Sequence, residues 1–156
     1  MRRVAPILVA LLALAGCEVR EVENDLRIVD VSTGWYDAGI VNGENKLVPS
    51  ISIRLENISD RPIDGVQLNA IFKRVGDDLA WGEHFARALD EPLAPGARTE
   101  PIVLRSQLGY TGTQGRLQML QNREFVDGRV EIFGRHGRRG WVMIHEQQID
   151  RELLTE

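Results

Sequence analysis

Along most of this chain the hydrophobic residues recur at every second position. Between Ser50 and Asn57, Ile51, Ile53 and Leu55 fall on one side and Ser52, Arg54 and Glu56 on the other. That period marks a half-buried β-strand. Val66 to Val75 repeats it, with Val66, Leu68, Ala70 and Phe72 on one face. Leu26 to Thr33 is rich in Ile and Val and reads as the first strand. Leu79 to Leu89 reads as a less regular strand, and Ile102 to Arg105 as a short extended run. Val126 to Phe133 and Trp141 to Ile149 form a hairpin around His136-Gly137-Arg138-Arg139-Gly140.

Turn chemistry separates these runs. Asn42-Gly43 is the strongest signal, because a type I′ turn needs positive φ at both central positions. Asp60-Arg61-Pro62, Asp64-Gly65 and Gly76-Asp77-Asp78 are further turns. Pro92 to Gly96 is a rigid loop, and Gly109 to Gly115 a glycine- and threonine-rich one. Only 114–124 has helical spacing, with Leu117 and Leu120 three apart among good helix formers. About seven short strands with almost no helix predict an all-β fold, an immunoglobulin-like antiparallel β-sandwich over residues 26–154.

The last hairpin carries the best candidate surface. A loop of Arg138-Arg139-Gly140, with Gly140 left-handed, sets His145 opposite Phe133. Val130, Ile132, Gly134, Val142 and Ile144 then face the core, while Phe133, Trp141, Met143 and His145 share the other face. An outward row of Phe, Trp and Met needs either a cover or a partner. The favoured expectation is a cover, supplied by 114–124 or by the first strand. On that reading Trp141→Ala is strongly destabilising, by about 3–5 kcal/mol. The functional alternative is a partner patch, since aromatics and Met are enriched at interface centres. Arg135, Arg138 and Arg139 at the tip suit acidic partners or lipid headgroups.

The amino terminus has a different pattern. Arg2 and Arg3 precede an uncharged apolar run, Ile7 to Leu14, and then the small residues Ala15 and Gly16. That order is a secretory signal, and the run is shorter than the roughly 20 residues a bilayer span needs. Leu14-Ala15-Gly16-Cys17 resembles the lipobox of bacterial lipoproteins. The resemblance implies cleavage after residue 16, diacylglycerol on the Cys17 thiol and acylation of its amino group. Residues 17–25 would then be a charged tether. In Gram-negative lipoproteins Asp directly after the Cys favours the inner membrane. Glu18 stands there, so the resemblance favours the outer membrane, facing the periplasm.

Residues 50–105 also resemble the FxLYD-type lipoprotein domains. They share Asn57-Ile58-Ser59 after a strand, an apolar strand ending at Phe72, and Leu93-Ala94-Pro95-Gly96. Phe72-Lys73 stands where that family has Tyr-Asp. The implied fold is again immunoglobulin-like, with a role in the cell envelope and no chemistry.

Composition narrows the function. Removing residues 1–16 from the 156 leaves 140, with 17 basic and 23 acidic residues and a net charge near −6. Such a surface does not favour nucleic acid. Cys17 is the only cysteine, so no disulfide within the chain contributes and stability rests on burial. The histidines His84, His136 and His145 form no metal-binding motif. No serine lies in a GxSxG elbow, and Gly109-Tyr110-Thr111-Gly112 lacks the lysine of a phosphate loop. Asp77-Asp78 and Asp90-Glu91 are acidic pairs at turns. No catalytic, cofactor or metal site is expected. The expectation is a membrane-anchored envelope lipoprotein acting as a non-catalytic binding or assembly module with an envelope protein partner. The alternative is a carbohydrate-binding or hydrolytic module using Trp35, Trp81 or Trp141 with nearby carboxylates. An enzyme or sugar binder needs a concave site, and an adaptor only a flat apolar patch.

Overall fold

The computed structural model describes residues 21–155. The leader, Cys17 and the first part of the tether lie outside the described residues. The elements are α1 (Val22–Asp25), β1 (Leu26–Val41), β2 (Glu44–Asn57), β3 (Val66–Arg74), β4 (Gly82–Arg87) and β5 (Ile102–Arg105). They continue with β6 (Tyr110–Gly112), α2 (Arg116–Gln121), β7 (Gly128–His136), β8 (Val142–Gln148) and β9 (Leu153–Leu154).

Two sheets form. One has the order β5-β2-β1-β9, with β6 also paired to β2, and the other the order β4-β3-β7-β8. Every pairing is antiparallel except β1 with β9. The first, second and fifth strands share one sheet, and the third, seventh and eighth the other. That is the immunoglobulin-like sandwich, with β4 as an added strand beside β3. The alternation seen in the sequence builds the core. Ile51, Ile53 and Leu55 of β2 and Leu68, Ala70 and Phe72 of β3 are fully buried, as are Val130 and Ile132 of β7.

The differences from the sequence reading have local causes. Nine strands form among the described residues, because β6 and β9 are too short for a period to register. The first strand runs to Val41 instead of stopping at Thr33. Gly34 interrupts its pattern for a packing reason: a Cβ there would lie 2.7 Å from Leu154 Cγ and 2.9 Å from the Glu152 carbonyl. Without a side chain it admits β9, and the Trp35 N–H donates to Glu152 O at 2.7 Å. The Asn42-Gly43 turn has the expected backbone, with φ of 53° and 83°. The helix forms inside 114–124 but spans only Arg116–Gln121. Residues 22–25, placed in the tether, are α1 instead. Val22 is buried and packs against Gly134, where an added Cβ would meet it at 3.3 Å.

Two of the sequence motifs meet in space. Asn57 closes β2 and is fully buried. Its Nδ2 donates to the carbonyls of Arg61 and Leu93, both at 2.8 Å. Its Oδ1 accepts from the Ser59 N–H at 2.9 Å and from Ser59 Oγ at 2.8 Å. Its backbone pairs with Gly96 and Ala97. One side chain thus ties the β2–β3 loop to the β4–β5 loop.

Candidate interaction face

The geometry of the last hairpin decides which residues face outward. The left-handed residue of its turn is Gly137, with φ of 55°, not Gly140. Gly134 pairs with Val142 and Phe133 with Met143, but Ile132 pairs with His145. Ile144 is therefore an extra residue, a β-bulge, and every side chain beyond it changes face. Phe133, Trp141 and Met143 share the outer face as expected. His145 does not: it turns inward and lines a recess with Leu26, Ile28 and Ile58. Its Nε2 is buried with no hydrogen-bond partner, and burial lowers its pKa below the ordinary 6.5. A neutral, half-buried imidazole follows.

The outer face of the second sheet is laid out in rows. One row crosses all four strands as Phe85, Asn69, Phe133 and Met143. The row nearer the turn carries Arg87, Gln67 and Arg135. Trp141 fills the gap above them. Its ring meets Phe85 edge-on at 5.8 Å, and the Arg135 guanidinium lies 4.5 Å from its centroid. Arg135 Nε donates to Gln67 Oε1 at 2.7 Å, which fixes the guanidinium there. On the far side, Glu83, Ile71, Glu131 and Glu146 form the next row. Burial works against the charge on Glu131, but hydrogen bonds from Lys73 and Arg129 outweigh it and hold its carboxyl below the usual range. The face is thus an apolar band between a basic row and an ion-paired row.

Among the described residues no segment covers this band. Phe85 is 58% exposed, Met143 51% and Trp141 37%. Helix α2 packs against β2 and β9, and the first strand lies in the other sheet. The expectation of a covered Trp141 is therefore corrected. Trp141→Ala should cost about 1 kcal/mol, the size of one aromatic edge contact plus an exposed cation–π contact, instead of 3–5. Denaturant melts check this, and a loss above 3 kcal/mol would show that the ring is structural. Phe85 was missing from the sequence reading, because its place beside Trp141 depends on pairings between strands distant in the chain. The available signal was an aromatic between Glu83 and Arg87 at outward spacing.

The other candidate positions are separate. Trp35 is fully buried and Trp81 partly so, which removes both as a sugar-stacking surface. They join Tyr110 and Phe125 in one ring cluster, with Trp35 4.6 Å from Phe125 and Trp81 4.9 Å from Tyr110. Arg151 lies over Phe125 and bonds Asp127, closing that end of the sandwich. His84 Nδ1 sits on the Arg105 backbone, joining β4 to β5. Asp77 accepts from the Leu79 N–H inside its turn, and Asp78 pairs with Arg129. Asp90 and Glu91 are exposed. Among the described residues no three His, Cys, Asp or Glu side chains gather closely enough to hold a metal ion. No helix among them is long and apolar enough to cross a membrane.

Neither a family model nor a curated protein matches the chain. Among solved structures, a Northeast Structural Genomics Consortium target is similar at 11% identity and a TM-score of 0.47, covering 83% of this chain and 89% of its own. A protein from Archaeoglobus fulgidus is similar at 15% identity and a TM-score of 0.40, covering 81% of this chain and 99% of its own.

Proposed function

We propose that this protein is a lipid-anchored cell-envelope lipoprotein whose sandwich is a non-catalytic binding or assembly module. The observation that carries the binding reading is the patch of exposed Phe85, Met143 and Trp141 with half-buried Phe133 among them, which no described segment covers. Contiguous exposed apolar surface on a soluble domain marks an interaction site. The patch spreads across a four-stranded sheet instead of lining one enclosed cavity, which suits a protein partner better than a small molecule. The anchor reading rests on Leu14-Ala15-Gly16-Cys17. The outer membrane, facing the periplasm, is the preferred location because Glu18 stands where Asp would retain the protein. No observation favours the sugar-binding or hydrolytic alternative, since two of its three tryptophans point into the fold.

Cys17→Ala tests the anchor. Cells fed a clickable fatty acid should label the native protein and leave the variant unlabelled, with the variant found outside the membrane fraction. Equal labelling of both proteins would refute the reading.

A further inference from the structure

Where the chain leaves the leader bears on how the domain meets the membrane. Glu21 forms an ion pair with Arg139 at 3.6 Å. Val22, next in the chain, is buried against Gly134 of β7, beside Ile144 of β8. The start of the domain is thus fastened to the β7–β8 turn. Cys17 precedes Glu21 by four residues, so even a fully extended connection spans only about 14 Å. Anything attached to Cys17 lies within that reach of the turn.

The surface at the turn has a particular composition. Residues 137–141 are all exposed. Arg138 and Arg139 project there, and Arg135 lies on the ring of Trp141 just behind. Arg87 and Arg138 line a shallow groove with Phe85 and Gly137. The acidic groups nearby are Glu21, which faces Arg139, the exposed Glu23, and the exposed Asp64, whose neighbour Gly65 accepts the Gly137 N–H at 3.0 Å. The other loops at this end carry both signs: the β2–β3 loop exposes Asp60, Arg61 and Asp64, and the β4–β5 loop exposes Asp90, Glu91 and Arg98. Residues 137–141 themselves carry two exposed arginines and no acid, and they lie beside Glu21, the first described residue. Arginine with tryptophan is the pairing that suits a bilayer interface, where the ring enters the headgroup region and the guanidinium meets phosphate.

We propose that the β7–β8 corner, with Trp141, Arg138 and Arg139, docks on anionic lipid headgroups and sets the orientation of the domain. This rests on the anchored reading above. Strands β7 and β8 would then rise from the bilayer, and Phe85 and Met143 would be displayed sideways, available to a protein partner. The corner thus explains how a short anchor presents a fixed face instead of a freely tumbling one.

The test uses the lipoprotein purified from membranes and reconstituted in vesicles of phosphatidylglycerol and phosphatidylethanolamine. Lipids brominated near the headgroup quench tryptophans that reach the interface. Emission should be quenched in the native protein. The quenchable component should vanish in Trp141→Phe, leaving Trp35 and Trp81, which face the interior. Arg138→Glu together with Arg139→Glu should lower the quenched fraction about fivefold or more, the factor expected for a basic residue near an anionic surface. Vesicles of phosphatidylcholine alone should lower it likewise. The intact mass of the same sample shows whether the diacylglycerol is present. If it is absent, the anchored reading fails and this one with it. If the lipid is present but Trp141 stays unquenched, or the arginine variants quench fully, only the orientation is overturned, and the corner is left to a protein partner.

Discussion

Replacing Trp35 by alanine should lower the stability of the sandwich by about 3–5 kcal/mol, the range for truncating a buried large aromatic. Trp35 is fully buried and sits where β1 passes under the end of the second sheet. Its ring meets Trp81 at 6.0 Å, Tyr110 at 5.6 Å and Phe125 at 4.6 Å. It also fills the space beside Gly128, where an added Cβ would approach the indole to 3.4 Å. The indole Nε1 has no hydrogen-bond partner, so truncation breaks no bond and the whole cost is lost packing and an unfilled cavity. The surrounding rings come from β6, the β3–β4 connection and the loop after α2, so the ring packing joins these segments to β1 alongside the hydrogen bonds of Arg151 and Tyr110. Total stabilities of about 5–15 kcal/mol are usual, so the loss is a large share. Trp35→Phe should cost much less, because most of the volume remains. Urea melts with unchanged slope would confirm both, and a midpoint shift below the equivalent of about 0.5 kcal/mol for the alanine variant would show that the cluster is not a core.

Asn57→Ala should cost about 2–4 kcal/mol although Asn57 belongs to no candidate surface. The side chain satisfies two carbonyls in two loops and one backbone N–H. Each buried polar group left without a partner costs about 1–3 kcal/mol. Some of the loss is recovered where the loops open to water. Asn57→Asp is the sharper variant. It keeps the shape and the acceptor for Ser59, but it removes the donor and sets a carboxylate against the carbonyls of Arg61 and Leu93. It should be at least as damaging as alanine. Amide exchange should rise in residues 58–63 and 93–97 of both variants before the sheets open. Unchanged exchange in 93–97 would mean that the backbone bonds of Ile63 with Leu93 and of residue 57 with Gly96 and Ala97 hold the two loops together without the side chain.

Asn57 also shows the difference between a motif and its cause. Asn57-Ile58-Ser59 and Leu93-Ala94-Pro95-Gly96 stand apart in the chain, and neither alone indicates the other. The physical link is a single amide that accepts from one loop and donates to both. A reading of linear spacing sees two turns, while the fold joins them.

What the sequence determined by itself are the properties set by local chemistry. The alternation in β2 and β3 fixes which side chains are buried, because a strand turns successive residues to opposite faces. The Asn42-Gly43 pair fixes its turn, because those residues tolerate positive φ. A two-sheet sandwich follows, since strands with one apolar face must pack on another such face. Tertiary structure decided the rest. The bulge at Ile144 turned His145 inward, and one extra residue reverses every face beyond it without leaving a mark in the pattern. The two-residue β9 exists because Gly34 leaves room for it. Whether Trp141 is covered depended on where α2 packed, and α2 went to the other sheet. Phe85 joined Trp141 only through pairings among four strands. The candidate surface is thus a product of non-local pairing. The hairpin window 126–149 contains Phe133, Trp141 and Met143, but not Phe85, which joins them only across the sheet.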